Sequence, residues 1–195
     1  MLGSAGILDE ASVLAATGTR VVSEVGPGDL SQQFRVIVLA NVAFGALPEP
    51  VQLGLSDFVN AGGGLLVTGG PQAFGSGGYD AIAELVPFQL RSRSDWRAIP
   101  FRSPVPVQPS HPVLAGVRFE TVGAVNDMTP RPGATEILRM PGGGPAGYPY
   151  PLIAEMVVGG GRVLGFAFDL QDLGGMPDRD RLVQNALTYL AEAAR

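Results

Sequence analysis

The sequence lacks cysteine and lysine altogether, and its 195 residues include a single histidine. Without cysteine there is no disulfide, no thiolate nucleophile and no cysteine-bound metal. Without lysine there is neither the lysine of a Walker A loop nor a Schiff base. One histidine argues against a structural zinc site, so we predict no metal site and no cofactor, although carboxylates alone are able to bind Mg²⁺ or Ca²⁺.

Charged residues are also scarce, and their distribution argues against some classes of binding partner. Charged residues make up 16% of the chain, the net charge is −5, and all 13 basic residues are arginines. No basic cluster is interleaved with aromatic residues, which disfavours nucleic-acid binding. Four arginines, Arg91, Arg93, Arg97 and Arg102, lie close together, but Asp95 interrupts them and we interpret the segment as a solvated loop.

Long apolar runs are absent as well. No run of about 18 apolar residues is present to span a membrane, and Met1–Gly6 lacks the charged and apolar regions of a signal peptide. A cytoplasmic protein without membrane contact is therefore expected. The length fits a single domain over residues 1–195, and a hydrophobic content of 46% provides for a sizeable core.

The centre of the chain is predicted to fold as strand, helix, strand and glycine-rich loop. Two short apolar runs, Val36–Ala40 and Leu65–Thr68, are typical of parallel strands covered on both faces. Between them apolar residues recur at helical spacing, with Pro48 and Gly62 suited to the start and end of a helix. Open α/β folds bind ligands at the carboxyl ends of parallel strands, so the loop Gly69–Tyr79 is the predicted site.

The beginning of the chain is predicted to be a helix, Ile7–Ala16, followed by a strand, Arg20–Val25. A sheet of this kind normally opens with a strand, and no strand pattern precedes the helix. Either the sheet has an exposed edge that a partner or a second copy covers, or Met1–Gly6 is too irregular to interpret. The first alternative predicts a homo-oligomer.

The second half of the chain is predicted to be irregular at first and regular at its end. Asp80 is expected to cap a short helix, and the proline-rich stretch Phe88–Pro109 shows no sustained period, as in an edge or crossover segment. Strands Leu152–Val158 and Arg162–Leu170 flank three glycines in the manner of a hairpin. A terminal helix over Pro177–Arg195 has one apolar face for the sheet.

The candidate functional residues each have a structural alternative. The loop glycines either present N–H groups to an anionic or carbonyl group or simply permit tight turns. Ser76 acts as a nucleophile only with a nearby base, and His111, the sole candidate base, is also explained as a loop histidine that caps a carbonyl. Asn126 and Asp127 either place polar side chains at a sheet edge or form Asx turns.

Four acids near the end of the chain also have two explanations. They either bind a cation or bound a loop and begin the terminal helix, where acids suit the helix dipole. These acids are Asp169, Asp172, Asp178 and Asp180.

Two stretches are distinctive enough to compare with known families: GGPQAFGSGGY at Gly69–Tyr79 and GGGRVLGFAFD at Gly159–Asp169. Together with HPVLAGV, GAVNDMTPRPGATEIL and RLVQNALTYLAEA, they resemble the class I glutamine amidotransferase-like proteins, especially the ThuA-like branch. The resemblance covers most of the chain. It implies a flavodoxin-like three-layer α/β/α sandwich with a mostly parallel central sheet, followed by a C-terminal β-hairpin and helix.

The resemblance does not extend to the amidotransferase activity. Class I amidotransferases attack glutamine with a cysteine on the turn after the strand equivalent to Leu65–Thr68, assisted by a histidine and an acid. Here that turn is Thr68-Gly69-Gly70, the chain has no cysteine, and His111 is not followed by an acid two residues on. Glutaminase activity of the cysteine-triad type is therefore excluded.

We expect a non-catalytic domain that binds a small polar ligand or a partner protein at the rim of the loop. The residues predicted to bind the ligand are Asn41, Gly69, Gly70, Phe74, Gly75, Gly77, Gly78, Tyr79, Asn126 and Asp127. One alternative is an assembly module with a partner-covered sheet edge. Another is a hydrolase of unknown substrate that uses Ser76, or a metal-bound water, with His111.

Overall fold

A computed structural model describes residues 2–3, 25, 28–142, 147–173 and 176–193. The α-helices in this part of the chain are α1 (Leu30–Gln33), α2 (Glu49–Asn60) and α3 (Arg179–Ala193). The strands are β1 (Leu2–Gly3), β2 (Val36–Ala40), β3 (Gly64–Thr68), β4 (Phe88–Leu90), β5 (Trp96–Arg102), β6 (Val105–Pro106), β7 (Val122–Asn126), β8 (Met128–Pro130), β9 (Thr135–Met140), β10 (Tyr150–Val158) and β11 (Gly161–Phe166).

A mixed seven-stranded sheet forms the middle of the fold, in the order β1-β2-β3-β11-β10-β9-β6. Strands β1, β2, β3 and β11 are mutually parallel, and the three remaining pairings are antiparallel. The predicted α/β class is confirmed, but the sheet is parallel in half of its pairings rather than in most. One of the antiparallel pairings is the hairpin of β10 and β11, since a short turn joins antiparallel neighbours only.

The chain opens with a strand, which corrects the predicted helix-first start. Strand β1 pairs in parallel with β2, at the edge of the sheet. Two residues are too few to show a period, so the sequence gives no signal for this strand. The predicted helix Ile7–Ala16 lies outside the described residues, and so does the predicted strand Arg20–Val25 except for Val25, which is in no strand.

Alternate residues of the central strands face two separate cores. On β2, Ile37 and Leu39 pack on the side of α2, while Val38 and Ala40 pack on the side of α3. Because both faces of the strand are buried, every position along it is apolar, which explains the continuous apolar runs in the sequence. Helices therefore cover both faces of the sheet.

Helix α2 matches its prediction closely. It begins after Pro48 and has a proline in its first turn, where the missing N–H group costs no hydrogen bond. Val51, Leu55 and Phe58 are buried against the sheet. Gly62 follows the end of the helix with a φ of 111°, a value that favours glycine.

Two stretches are more regular than predicted. The stretch Phe88–Pro109 contains strands β4, β5 and β6, which pair with β8, β7 and β9. The segment Tyr79–Leu85 is a 3₁₀ helix whose N-cap is Gly78, with a φ of 74°, so Asp80 lies inside the first turn and does not cap it. These short strands pair with strands that are distant in the sequence. A local sequence pattern does not reveal such pairing, so the strands were not predicted.

The predicted C-terminal hairpin and helix are both present. Strands β10 and β11 pair antiparallel around Gly159, which has a φ of 57°. Helix α3 buries one apolar face, which includes Val183 and Leu190. None of the helices in the described ranges has the length and apolar character that a membrane span needs.

Candidate functional site

Three connections leave the carboxyl ends of neighbouring parallel strands. Asn41 follows β2, the glycine-rich loop Gly69–Tyr79 follows β3, and Ala167 to Asp169 follow β11. The register aligns Ala40, Thr68 and Phe166, so the three connections start side by side. Their buried N–H and C=O groups need hydrogen-bond partners, because an unpaired buried backbone group is costly.

Asn41 joins two of these connections. Its φ of 44° is unusual for a residue with a side chain. The side chain is buried, its Oδ1 accepts from the N–H of Gln72 at 2.9 Å, and its Nδ2 donates to Asp169 Oδ2 at 2.7 Å. Asn41 therefore occupies the predicted position, but its amide is used to hold the loop.

Asn126 joins the loop to the antiparallel part of the molecule. This fully buried residue ends β7, and its amide bonds Gly70 twice: Oδ1 accepts from the Gly70 N–H at 2.9 Å and Nδ2 donates to the Gly70 carbonyl at 3.2 Å. Its own N–H donates to Ala167 O at 2.7 Å. Asn126 thus bridges β7, the loop and the end of β11.

Asp95 holds the far end of the loop, and the sequence analysis did not identify this role. Its carboxylate is fully buried and accepts from the N–H groups of Gly75 at 3.1 Å and Ser76 at 3.3 Å. The Ser76 hydroxyl also donates to it at 3.1 Å. The segment with four arginines is therefore an anchored part of the structure and not simply a solvated loop.

The glycine-rich loop has few N–H groups left for a ligand. The N–H groups of Gly69, Gly70, Gln72, Ala73, Gly75, Ser76, Gly77, Gly78 and Tyr79 all donate within the protein. Phe74 and Tyr79 have no exposed surface, and burial raises the pKa of Tyr79. Their backbone and side chains are used to fold the loop, and the prediction that they bind a ligand stays a prediction.

Two loop glycines are required by close packing. A Cβ on Gly75 would lie 1.9 Å from Ser92 O, and one on Gly77 would lie 2.4 Å from Gln72 O. Both distances are far below van der Waals contact. Of the two explanations for the glycines, tight packing is the one that the contacts support.

Ser76 and His111 are not brought together. The loop that carries Ser76 packs through Phe74 and Tyr79 into the core on the α2 side. His111 precedes a 3₁₀ helix, Pro112–Leu114, whose apolar residues pack into the core on the α3 side. The sheet separates the two cores, so this geometry does not support a hydrolase that pairs the two residues.

His111 belongs to a polar cluster with Glu155, Arg162 and Tyr189. Its Nδ1 accepts from the Val113 N–H at 3.2 Å, and its Nε2 lies 3.5 Å from Glu155 Oε1. The Tyr189 hydroxyl donates to Glu155 Oε2 at 2.8 Å, and the Arg162 guanidinium lies over the Tyr189 ring at 4.5 Å. The cluster fastens α3 to β10 and β11.

This cluster shifts two pKa values. Burial tends to raise the pKa of Glu155, but the neighbouring His111, Tyr189 and Arg162 together lower it below its usual value. Burial, and then the bond to Glu155, raises the pKa of Tyr189 to about 12. The ionised Glu155 carboxylate is thus the favoured form in the folded chain.

Asp127 holds two arginines at the surface beside the loop. Its side chain is only 5% exposed and contacts Arg97 Nε at 3.0 Å and Arg91 Nη1 at 3.3 Å. Both arginines are partly exposed. Tyr150 lies close enough that burial, followed by the charge of Asp127, raises the pKa of its hydroxyl.

An open depression of about 370 Å³ is lined in part by Arg91. Its walls are the 3₁₀ helix that continues the glycine-rich loop and strands β4 and β8. The polar residues that line it are Asp80, Gln89, Arg91, Thr129 and Arg131. Sequence reasoning missed this set, apart from the general position of the site after the loop.

The acids near the end of the chain do not form one common cluster in the described residues. Burial raises the pKa of Asp169 and of Asp172, and the charge of Asp169 adds to the shift of Asp172. Asp178 accepts from both the N–H and the Nε of Arg118. Within the described residues, no group of three or more potential ligands is arranged to hold a metal ion.

Comparison with known structures identifies the fold. A cytoplasmic protein from Salmonella typhimurium matches with a TM-score of 0.70 and 19% identity over 91% of this chain and 78% of that chain. A protein described as thua-like from Parabacteroides merdae matches with a TM-score of 0.60 and 15% identity, over 92% of this chain and 81% of that chain. The fold is that of the ThuA-like proteins.

The ThuA-like fold also occurs within a larger enzyme. A beta-galactosidase from Rahnella sp. R3 matches with a TM-score of 0.59 and 15% identity, over 92% of this chain but 25% of the enzyme. No protein-family model matches the chain, and no curated protein matches it in sequence. The predicted resemblance is confirmed as a likeness of fold, and the absence of cysteine excludes the cysteine-triad chemistry.

The packing of Gly75 gives a first prediction. We expect Gly75→Ala to lower the free energy of unfolding by about 1–3 kcal/mol, because the new methyl group would overlap Ser92 O. Gly45→Ala is the control, since a Cβ there meets nothing within 4 Å. Urea denaturation of both variants measures the difference. Equal stabilities would show that the loop is not packed as described.

The lowered pKa of Glu155 gives a second prediction. A carboxyl group whose pKa is lower in the folded state adds stability above its unfolded pKa of about 4.3, and this stability is lost as the pH falls through the folded value. We therefore expect Glu155→Gln to be destabilised at pH 7 and to approach the original protein as the pH falls below about 4.

The measurement is urea denaturation between neutral and acidic pH. Glu192→Gln, on an exposed position of the same helix α3, controls for the loss of one negative charge. A constant difference between Glu155→Gln and the original protein at every pH would contradict the assignment.

Proposed function

We propose that this chain is a non-catalytic ThuA-like domain that binds a small polar ligand in the depression beside the glycine-rich loop. The observation that supports the proposal is the set of polar side chains that line the depression, several of which are held by other residues. Arg91 is fixed by the buried Asp127, and Arg131 donates to the carbonyls of Val86 and Ala83. Such preorganised polar groups reduce the cost of binding.

The depression is a better candidate than the loop itself. The amides of Asn41 and Asn126 and most loop N–H groups already have partners within the protein. The groups that line the depression are partly exposed, and at about 370 Å³ it is near the lower end of the usual range for ligand sites. The ligand is therefore small.

The arrangement of nucleophiles supports a role without catalysis. The chain has no cysteine, and the Ser76 hydroxyl donates to Asp95 and has no imidazole beside it. A carboxylate acceptor alone does not make serine an effective nucleophile, because its pKa lies far below that of the hydroxyl. We also propose a cytoplasmic location, because the Salmonella protein of similar fold is described as cytoplasmic.

An assembly role has separate support at the opposite edge of the sheet. Strand β6 is the edge strand there, and nearby segments expose large apolar side chains: Phe101 is 77% exposed, Tyr148 63% and Val105 47%. The predicted oligomer was based on a missing strand at the edge of the sheet where β1 in fact lies. An oligomer therefore needs another surface, and the exposed side chains near β6 provide one. The second candidate is therefore a homo-oligomer formed through the β6 edge.

Filling the depression tests the ligand-binding proposal. We expect thermal-shift screening against sugars, amino acids and nucleotides to give at least one stabilising ligand, and Gln89→Trp to abolish its effect because the indole would fill the depression. Gln108→Trp, at an exposed position outside the depression, is the control. Absence of any stabilising ligand, or binding that Gln89→Trp leaves intact, would exclude this site.

Light scattering tests the second candidate. We expect a mass above that of one 20.2 kDa chain at micromolar concentration if the β6 edge associates, and a return to one chain in Phe101→Ser, since the exposed ring would supply much of the apolar contact. Leu53→Ser, at an exposed apolar residue on α2, is the matched control. A monomer in the original protein rules out the assembly role.

A further inference from the structure

The arginines around the depression carry more positive charge than the neighbouring acids neutralise. Arg131 donates through Nε to Val86 O at 3.0 Å and through Nη2 to Ala83 O. Both acceptors are neutral carbonyls, and no carboxylate pairs with Arg131 in the described part of the chain. Its guanidinium is therefore held in place while its charge stays uncompensated.

Arg91 is also only partly neutralised. It shares the single carboxylate of Asp127 with Arg97, and it uses one nitrogen, Nη1, in that contact. Arg91 lines the depression, and its other guanidinium nitrogens have no hydrogen-bond partner among the described residues. Two guanidinium groups on one carboxylate leave a surplus of one positive charge.

The local charge has the opposite sign to that of the whole chain. The charged residues that line the depression are two arginines, Arg91 and Arg131, and one carboxylate, Asp80, which lies 3.8 Å from the exposed Arg93. Two arginines and one aspartate leave a surplus of one positive charge on the lining, in a chain whose net charge is −5. Partly desolvated arginines with spare N–H groups bind carboxylate and phosphate oxygens through paired hydrogen bonds.

We propose that the depression is an anion site, which takes a small molecule with a carboxylate or phosphate group and further hydroxyl groups. Arg131 and Arg91 bind the anionic oxygens, while Asp80, Gln89 and Thr129 offer acceptors and donors to hydroxyl groups. Asp127 is a positioning residue, because it fixes the two arginines and does not itself face the depression. This inference rests on the proposed function and adds the chemical class of the ligand.

Binding of matched probes at constant ionic strength tests the inference. Titration calorimetry with glucose, gluconate and glucose 6-phosphate compares a neutral, a carboxylate and a phosphate form of similar size, and inorganic phosphate and acetate test the anionic group alone. We expect at least one of the anionic probes to bind about tenfold or more tightly than glucose. If none of the anionic probes binds below about 10 mM, or if glucose binds equally well, the inference is overturned.

Substitutions locate the binding. We expect Arg131→Gln and Arg91→Gln each to weaken anion binding about tenfold to a hundredfold, because each loses charge-assisted hydrogen bonds. Arg181→Gln is the matched control: Arg181 also donates to a backbone carbonyl, Gly116 O, but lies on α3. Arg131→Lys keeps the charge and separates its effect from the loss of the bonds to Ala83 and Val86. Equal affinities in the original protein and both glutamine variants overturn the site.

The outcomes separate this inference from the proposed function. A neutral ligand that binds, is blocked by Gln89→Trp and is unaffected by Arg131→Gln would keep the ligand-binding function and overturn the anion class. If Arg131→Gln unfolds the chain, as its melting temperature would show, Arg91→Gln decides the question alone, because Arg91 makes no bond to the backbone carbonyls. Absence of every ligand overturns both proposals.

Discussion

The constraint on which this structure depends is the pairing of buried backbone groups where the parallel strands end. Three connections meet there, and water does not reach most of their N–H and C=O groups. Side chains of Asn41, Asn126 and Asp95 supply the missing partners. These three residues come from different segments, so the same bonds that satisfy the loop also fix the segments relative to one another.

That constraint also places the candidate ligand site. Asn126 bonds the loop, and the next residue, Asp127, holds Arg91 and Arg97. Asp127 donates its own N–H to Asp95 O, and the Asp95 carboxylate holds Gly75 and Ser76. The arginines beside the depression are thus connected to the glycine-rich loop through a few buried hydrogen bonds. The loop therefore supports the arginines that line the depression.

The ThuA-like fold and the chemistry of the site answer different questions. The fold is shared with a Salmonella cytoplasmic protein and with a quarter of a beta-galactosidase chain. Sequence identities of 19% and 15% are too low to infer an activity for this chain from those proteins. The chain has no cysteine, and Ser76 has a carboxylate but no imidazole beside it. The preorganised arginines of the depression, in an acidic chain, are the basis of the proposed anion recognition. On the opposite face of the sheet, His111 and Glu155 hold α3 in place and take no part in this site.

The sequence by itself determined the elements whose signals are local. Strands β2 and β3, helix α2, the terminal hairpin and α3 follow from apolar period and turn residues, and the missing cysteine excluded one reaction outright. Only the tertiary structure decided the rest. Strands β1, β4, β5 and β6 are short and pair with distant partners, and Arg131 reaches carbonyls 45 and 48 residues away. Whether the N–H groups of a glycine-rich loop are free for a ligand depends on hydrogen bonds to distant segments. Such bonds leave no periodic pattern in the sequence, so only the tertiary structure shows them.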